Sequence, residues 1–330
     1  MEWKGKKVLV TGGAGFIGSH LCRRLLSMGC IVTAVDNMLT GSYKRIRDML
    51  GHPNFRFLKL DLRSFDNCMK AVKGHDYVFH LAANMGGIGF ITSVGADVIH
   101  DNILMNINML EASKRENVEL FFFSSSACVY PEEKQSTPNV TPLKESDAIP
   151  ANPDTYYGWE KLFTEKACEA YHKDYGLNVK IARFHNVYGP YNRYKDIRAK
   201  VIGRFIYRAI MYPKLNIEIW GTGEQTRSFL YIDDAIDGII AISESDYNEP
   251  FNIGSDRLIT INDLAKLIIE ISGKDIEPVH VPGPIGVNGR NADLTLCRKK
   301  LGWEPKIGLE EGIRRTYEWV LKDLKESGEI

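Results

Sequence analysis

Four side chains in this 330-residue sequence have the types and spacing for acid/base work on a small hydroxylated molecule. Tyr157 and Lys161 stand four apart, which in a helix puts them on one face. An ammonium beside a phenol favours the phenolate and lowers a pKa that is otherwise about 10, so Tyr157 is expected to take a proton from a hydroxyl. Upstream, the run Ser124-Ser125-Ser126-Ala127-Cys128-Val129-Tyr130-Pro131 presents a hydroxyl and a thiol after an apolar stretch. Ser126 is expected to orient the hydroxyl that Tyr157 deprotonates, and Cys128, two residues on, to reach the same molecule. A nearby cation would favour the Cys128 thiolate, although the commoner fate of a cysteine is to fill a gap in a core. Tyrosine and lysine fall four apart by chance in many helices, so the pair gains its meaning from the elements around it.

Those elements begin with an apolar strand, Lys7–Thr11, followed by Gly12-Gly13-Ala14-Gly15-Phe16-Ile17-Gly18 and an amphipathic helical pattern. Backbone amides must come close to a pyrophosphate at a helix N-terminus, and a side chain would block that approach. Gly12, Gly15 and Gly18, with Phe16 and Ile17 between them, therefore form a candidate dinucleotide turn, though glycines also mark ordinary turns. A second strand, over 30–35, runs into Asp36-Asn37. A carboxylate there accepts hydrogen bonds from the adenosine ribose and repels a 2′-phosphate, which favours NAD. Lys44 and Arg45 beyond it read as solvated. A third strand, 55–60, leads to Asp61-Leu62 beside the adenine. A fourth, 77–81, ends at Leu81-Ala82-Ala83, where small residues let a cofactor pack.

The glycine-rich apolar stretch Asn84-Met85-Gly86-Gly87-Ile88-Gly89-Phe90 that follows reads as a flexible connector or a substrate lid. A helix over 98–114, a fifth strand over 119–123, a polar loop over 132–153, a helix over 156–171 and a sixth strand over 178–184 come next. Strands alternating with helices at this interval predict an α/β fold, a Rossmann-type doubly wound parallel sheet, with a smaller, discontinuous α/β substrate domain. The expected division is 1–186 with 226–255 for the NAD-binding part and 187–225 with 256–330 for the substrate part.

Composition narrows the function classes. The 42 basic and 42 acidic residues cancel, so no general affinity for nucleic acid or an anionic membrane is expected. The six cysteines are scattered, with no Cys-x-x-Cys pair; neither a metal site nor a disulfide framework is predicted. The start lacks the pattern of a signal peptide, and no apolar run is long enough to span a bilayer. A cytoplasmic protein is the expectation.

The glycine turn, Asp36, Ser126 and the Tyr157/Lys161 pair together resemble the extended short-chain dehydrogenase/reductase family over nearly the whole chain. A second set is similar to the branch of that family that epimerises GDP-mannose: Met85-Gly86-Gly87, Ser126 to Pro131, Arg183-Phe184-His185-Asn186, Gln225-Thr226-Arg227-Ser228-Phe229 and Gly289-Arg290-Asn291. The resemblance implies an NAD-dependent isomerase acting on a sugar nucleotide, with Cys128 and Lys200 as an acid/base pair. It implies that Met85, Gly86, Gly87 and Asn186 contact the substrate, that Arg208 and Arg290 bind its diphosphate, and that Gln225 and Arg227 line the same pocket. It also implies a homodimer through the helices near 98–114 and 156–171. On its own Lys200 would read as a solvated lysine. Two positions depart from the pattern: Ala199 stands where an acidic residue is expected, and Arg208 where a lysine is. A 4-epimerase on the same scaffold would need no acid/base pair. A non-catalytic NAD-sensing or scaffold protein would have no use for Ser126, Tyr157 and Lys161 together.

Overall fold

The computed structural model describes all 330 residues. A seven-stranded parallel sheet holds six strands from residues 7–184: β1 (Lys7–Thr11), β2 (Ile31–Asp36), β3 (Phe55–Lys59), β4 (Tyr77–His80), β5 (Leu120–Ser126) and β6 (Val179–Phe184). Their order is β3-β2-β1-β4-β5-β6, and a seventh strand, Pro250–Ile253, pairs with β6 at the edge. The inner strands β1 and β4 are buried on both faces because helices cover the sheet on either side, whereas the edge strand β3 is only partly buried. Helices α2 (Phe65–Val72), α4 (Gly95–Arg115) and α5 (Tyr156–Tyr175) pack on one side, and α1 (Phe16–Ser27) and α7 (Ile232–Glu244) on the other. The order reverses between β1 and β4, and ligands of such sheets lie at that switch, beyond the carboxyl ends of the strands.

The end of β5 extends past the expected limit at 123. Ser124 pairs with Ala182 and Ser126 with Phe184 of β6, so backbone pairing carries the strand through the serine run. Ser126 then caps a short turn, its hydroxyl accepting from the Cys128 amide at 3.2 Å. Helix α5 starts where Thr155 accepts from the Gly158 amide at 3.2 Å and stops at Gly176, which takes φ 71°. These caps set Tyr157 in the first turn. The loop over 132–153 closes on itself through a Pro131–Pro153 bridge and a Glu132 amide to Asn152 carbonyl bond of 2.8 Å. That closure brings the end of β5 against the start of α5.

Beneath the junction lies a buried ion pair. Arg183 reaches Glu165 at 2.7 and 2.9 Å, Ser125 donates to the same carboxylate, and Arg183 also donates to the Glu145 carbonyl at 2.6 Å. With side chains only 5% and 4% exposed, loss of one partner strands the other. Arg183→Met is expected to cost about 3–5 kcal/mol of unfolding free energy, read from the urea midpoint.

The rest of the chain forms α6 (Val201–Met211), α8 (Ile261–Ser272), α9 (Thr295–Leu301), α10 (Leu309–Glu326) and small sheets. The largest apolar core runs from β1 and α1 through α7 into α6, α8 and α10, so both parts of the chain share one core. At one point the pairing differs from the expected division: the strand Thr226–Ser228 pairs with Leu258–Thr260 and Gly289–Arg290. Its backbone bonds tie it to strands expected in the substrate part, and the return toward the sheet begins after it.

Candidate active site

Two cavities meet over the carboxyl ends of the strands. The first is lined by Gly12, Gly15, Phe16, Ile17, Gly18, Asp36, Asn37, Leu62, Leu81, Ala82, Ala83, Tyr157 and Lys161. The second is lined by Met85, Gly86, Gly87, Ser126, Cys128, Asn186, Lys200, Gln225, Arg227 and Arg290. Ser126, Tyr157, Asn186 and Lys200 belong to both walls. The hydroxyl and phenol that the sequence singles out, and the Lys200 that the family resemblance adds, therefore stand where the two cavities join.

The first cavity fits a dinucleotide. Gly12 takes φ +65°, and a Cβ at Gly18 would overlap the Gly12 carbonyl, so the turn has room for backbone only. Gly15 caps the N-terminus of α1, whose free amides suit a pyrophosphate. Asp36 ends β2, accepting from the amides of Met38 at 2.8 Å and Ala14 at 3.2 Å. Burial nonetheless pushes its carboxyl above the usual 3.8. The Lys161 ammonium is buried and has no hydrogen-bond partner in the protein, as expected of a donor held for a ligand. Two expectations shift here. The Asp61 carboxylate turns to Arg63 at 2.7 Å, leaving Leu62 in the wall. Arg45, read as solvated, lines the cavity and donates to the Tyr191 carbonyl at 2.8 Å.

The charge balance at Tyr157 in the free protein rests on more than Lys161. Its pKa is raised well above 10, first by burial and then by Glu160 and Cys128, while the Ser126 hydroxyl acts the other way. Lys161 lies 5.6 Å from the phenol ring centre and 3.7 Å from the Glu160 carboxylate. Glu160 is itself held by Asn102 at 2.9 Å and Asn106 at 3.0 Å, so the nearest anion draws on the ammonium. Neutral phenol is the resting form of the free protein.

Cys128 is half-buried, whereas the other five cysteines are buried. Arg290 donates to its sulfur at 3.3 Å and to Gln135 at 2.5 Å. Lys200 precedes the first turn of α6, and burial is the main cause that lowers its pKa below 10.5, with Cys128 opposing. The segment ahead of Lys200 is fixed to the glycine-rich loop: Arg198 donates to the Met85 carbonyl at 2.8 Å and lies 3.5 Å over the Phe90 ring. Of the stretch expected to be a connector or lid, Ile88, Gly89 and Phe90 instead form the start of a short helix, α3 (Ile88–Ser93).

Asn186 donates to the Ser228 carbonyl at 2.9 Å and Gln225 to the Trp220 carbonyl at 3.0 Å. Arg227 is held by the carbonyls of Thr226 and Val287 at 2.8 and 2.7 Å, and burial beside Arg290 brings its pKa down to about 10. Arg208 stands outside the cavity wall. Glu218 at 2.8 Å and the Asn216 carbonyl at 2.5 Å capture its guanidinium. Arg204, one turn earlier on α6, lines the cavity instead, 4.8 Å over Trp220. Sequence reasoning also passed over Glu218, Trp220 and Asp154, all in the same wall. Asp154 had one signal, its place directly before the Thr155 cap.

A family model described as the NAD dependent epimerase/dehydratase family matches residues 8–254. The chain is 44% identical to GDP-mannose 3,5-epimerase 1 of Oryza sativa subsp. japonica over 98% of its own length and 84% of the relative's. Among solved structures, UDP-glucose 4-epimerase of Thermotoga maritima with UDP-glucose aligns at TM-score 0.88 and 35% identity, covering 96% of this chain and 99% of that one. UDP-glucuronic acid 4-epimerase of Bacillus cereus, in complex with UDP-glucuronic acid and NAD, aligns at TM-score 0.82 and 31% identity over 96% and 99%. With NAD as its cofactor, the chain belongs to the NAD dependent epimerase/dehydratase family.

Proposed function

We propose that this isomerase inverts GDP-mannose at carbons 3 and 5, giving GDP-L-galactose and, from inversion at carbon 5 alone, GDP-L-gulose. One observation carries the reading: Cys128 and Lys200 line the same cavity as Ser126 and Tyr157, so an acid/base pair accompanies an oxidation site. A 4-epimerase needs only the latter. The rice relative's name points the same way.

In this reading Ser126 orients the carbon-4 hydroxyl and Tyr157 removes its proton. NAD, held by the glycine turn, Asp36 and Lys161, would supply the acceptor and donor for the carbon-4 hydride and a positive charge that favours the Tyr157 phenolate. The resulting 4-keto group acidifies the hydrogens on both neighbouring carbons. Of Cys128 and Lys200, one takes the proton from carbon 5 and the other returns one to the opposite face; the same exchange follows at carbon 3. Tyr157 then gives its proton back to the carbon-4 oxygen. Protons and electrons balance, and no cofactor is consumed. Arg227, Gln225 and Asn186 hold the nucleotide end, arginine suiting phosphate because its planar donors bind two oxygens. Arg204 joins them in place of Arg208.

Residues 1–186 with Leu230 to 255 make the cofactor part in this proposal, and the remainder folds over the sugar nucleotide. The exposed apolar side chains Tyr156, Trp159 and Phe163 on α5, with Leu104 on α4, support a homodimer through those helices. The proposed place of work is the cytoplasm; no helix is long and apolar enough to cross a membrane.

The test is incubation with GDP-mannose in deuterated water, with the sugar followed by NMR. Deuterium at carbons 3 and 5 is the expected result. No exchange there, while a UDP-hexose is inverted at carbon 4, overturns the reading in favour of a UDP-sugar 4-epimerase.

A further inference from the structure

Asp154 and Arg290 face each other across a gap in the substrate cavity, and each is left incomplete by the protein. Asp154 Oδ1 and Arg290 Nη2 are buried and have no hydrogen-bond partner. They lie 3.7 Å apart, with side chains 11% and 9% exposed. The other donors of Arg290 are committed, Nε to Gln135 and Nη1 to the Cys128 sulfur. A buried acceptor and a buried donor, both unsatisfied and too far apart for a good bond to each other, are costly unless a ligand completes them. A hydroxyl suits this place, because one oxygen can donate to the carboxylate while accepting from the guanidinium. A phosphate does not, since Asp154 would repel it.

Resting on the proposed function, we propose that Asp154 is a substrate-binding residue that, with Arg290, grips one hydroxyl of the hexose beside the carbon served by Cys128. This assigns Arg290 to the sugar and leaves the diphosphate to the other arginines. The carbon-4 hydroxyl belongs to Ser126 and Tyr157, and the carbon-3 hydroxyl changes side during the reaction. The grip therefore falls on the hydroxyl of carbon 2 or carbon 6.

The experiment compares wild type with Asp154→Asn on GDP-mannose and on its 2-deoxy and 6-deoxy analogues, measuring kcat/KM for each. Loss of a bond to a charged acceptor predicts a fall of about 10- to 100-fold on GDP-mannose, chiefly in KM. On the analogue that lacks the gripped hydroxyl the two proteins should be equal, because wild type has already lost the bond. An equal fall on all three substrates means that Asp154 acts through the fold or through the placement of Arg290, and overturns the proposal. So does no fall on any. If wild type ignores GDP-mannose but inverts another nucleotide hexose, the proposed function fails, and the same comparison with that hexose and its deoxy analogues decides for Asp154. Should Asp154→Asn not fold, judged by retained NAD, Asp154→Ser removes the same charge and carries the comparison.

Discussion

Tyr157→Phe is expected to lower turnover by about 10²–10⁴-fold, the range for losing a positioned acid/base group, and to remove deuterium exchange at carbons 3 and 5 to the same extent. Both losses have one cause. Without a base for the carbon-4 hydroxyl no ketone forms, and without the ketone neither neighbouring hydrogen is acidic. The ring stays in place, because α5 is fixed by its caps and Tyr157 packs with Ile91 and Val98 in a small apolar cluster. Substrate binding should therefore change little. The pH dependence has a definite sign. Burial, Glu160 and Cys128 hold the phenol above its ordinary 10 in the free protein, so the phenolate becomes scarcer as pH falls, and turnover of the wild type should decline toward acid pH. A variant that loses exchange at carbon 3 alone would contradict the assignment of Tyr157 to carbon 4.

The parts of this arrangement that the sequence made readable are those written in consecutive residues. The glycine turn, the apolar strands and the Tyr157/Lys161 spacing each arise within one element. Properties that depend on partners from elsewhere were not readable. Arg204 and Arg208 stand four apart on α6, and nothing in that helix says which enters the cavity. Glu218 and the Asn216 carbonyl, from a separate segment, decide it. Asp61 was captured by a neighbour only two residues on, whose aim depends also on Asp101 in α4. The continuation of β5 through three serines came from pairing with β6. Asp154 gained its place from the closure of the 132–153 loop and the approach of Arg290, two events far apart in the chain. For Tyr157, helical spacing gave the neighbour Lys161, but only packing shows that burial, Glu160 and Cys128 raise the phenol's pKa in the free protein.

The proposed acid/base pair, Cys128 and Lys200, gives the second large effect. Cys128→Ala and Lys200→Met are each expected to slow inversion by about 10²–10⁴-fold while leaving oxidation at carbon 4 intact, so that reduced cofactor accumulates in the presence of GDP-mannose. That split separates them from Tyr157→Phe, in which no reduced cofactor should form. Stability supplies a second sign for Lys200. Its folded pKa lies below the 10.5 of an unfolded lysine, mainly through burial, so below about 10.5 the unfolded chain binds the proton more tightly and the charge opposes folding. Wild type should thus gain stability relative to Lys200→Met as pH rises from the folded value toward 10.5, and at neutral pH the methionine variant should be no less stable. A large loss of inversion without loss of stability marks a residue kept for chemistry. If Lys200→Met instead inverts the sugar at the wild-type rate, Lys200 has no part in the proton exchange, and another group in the shared wall must face Cys128.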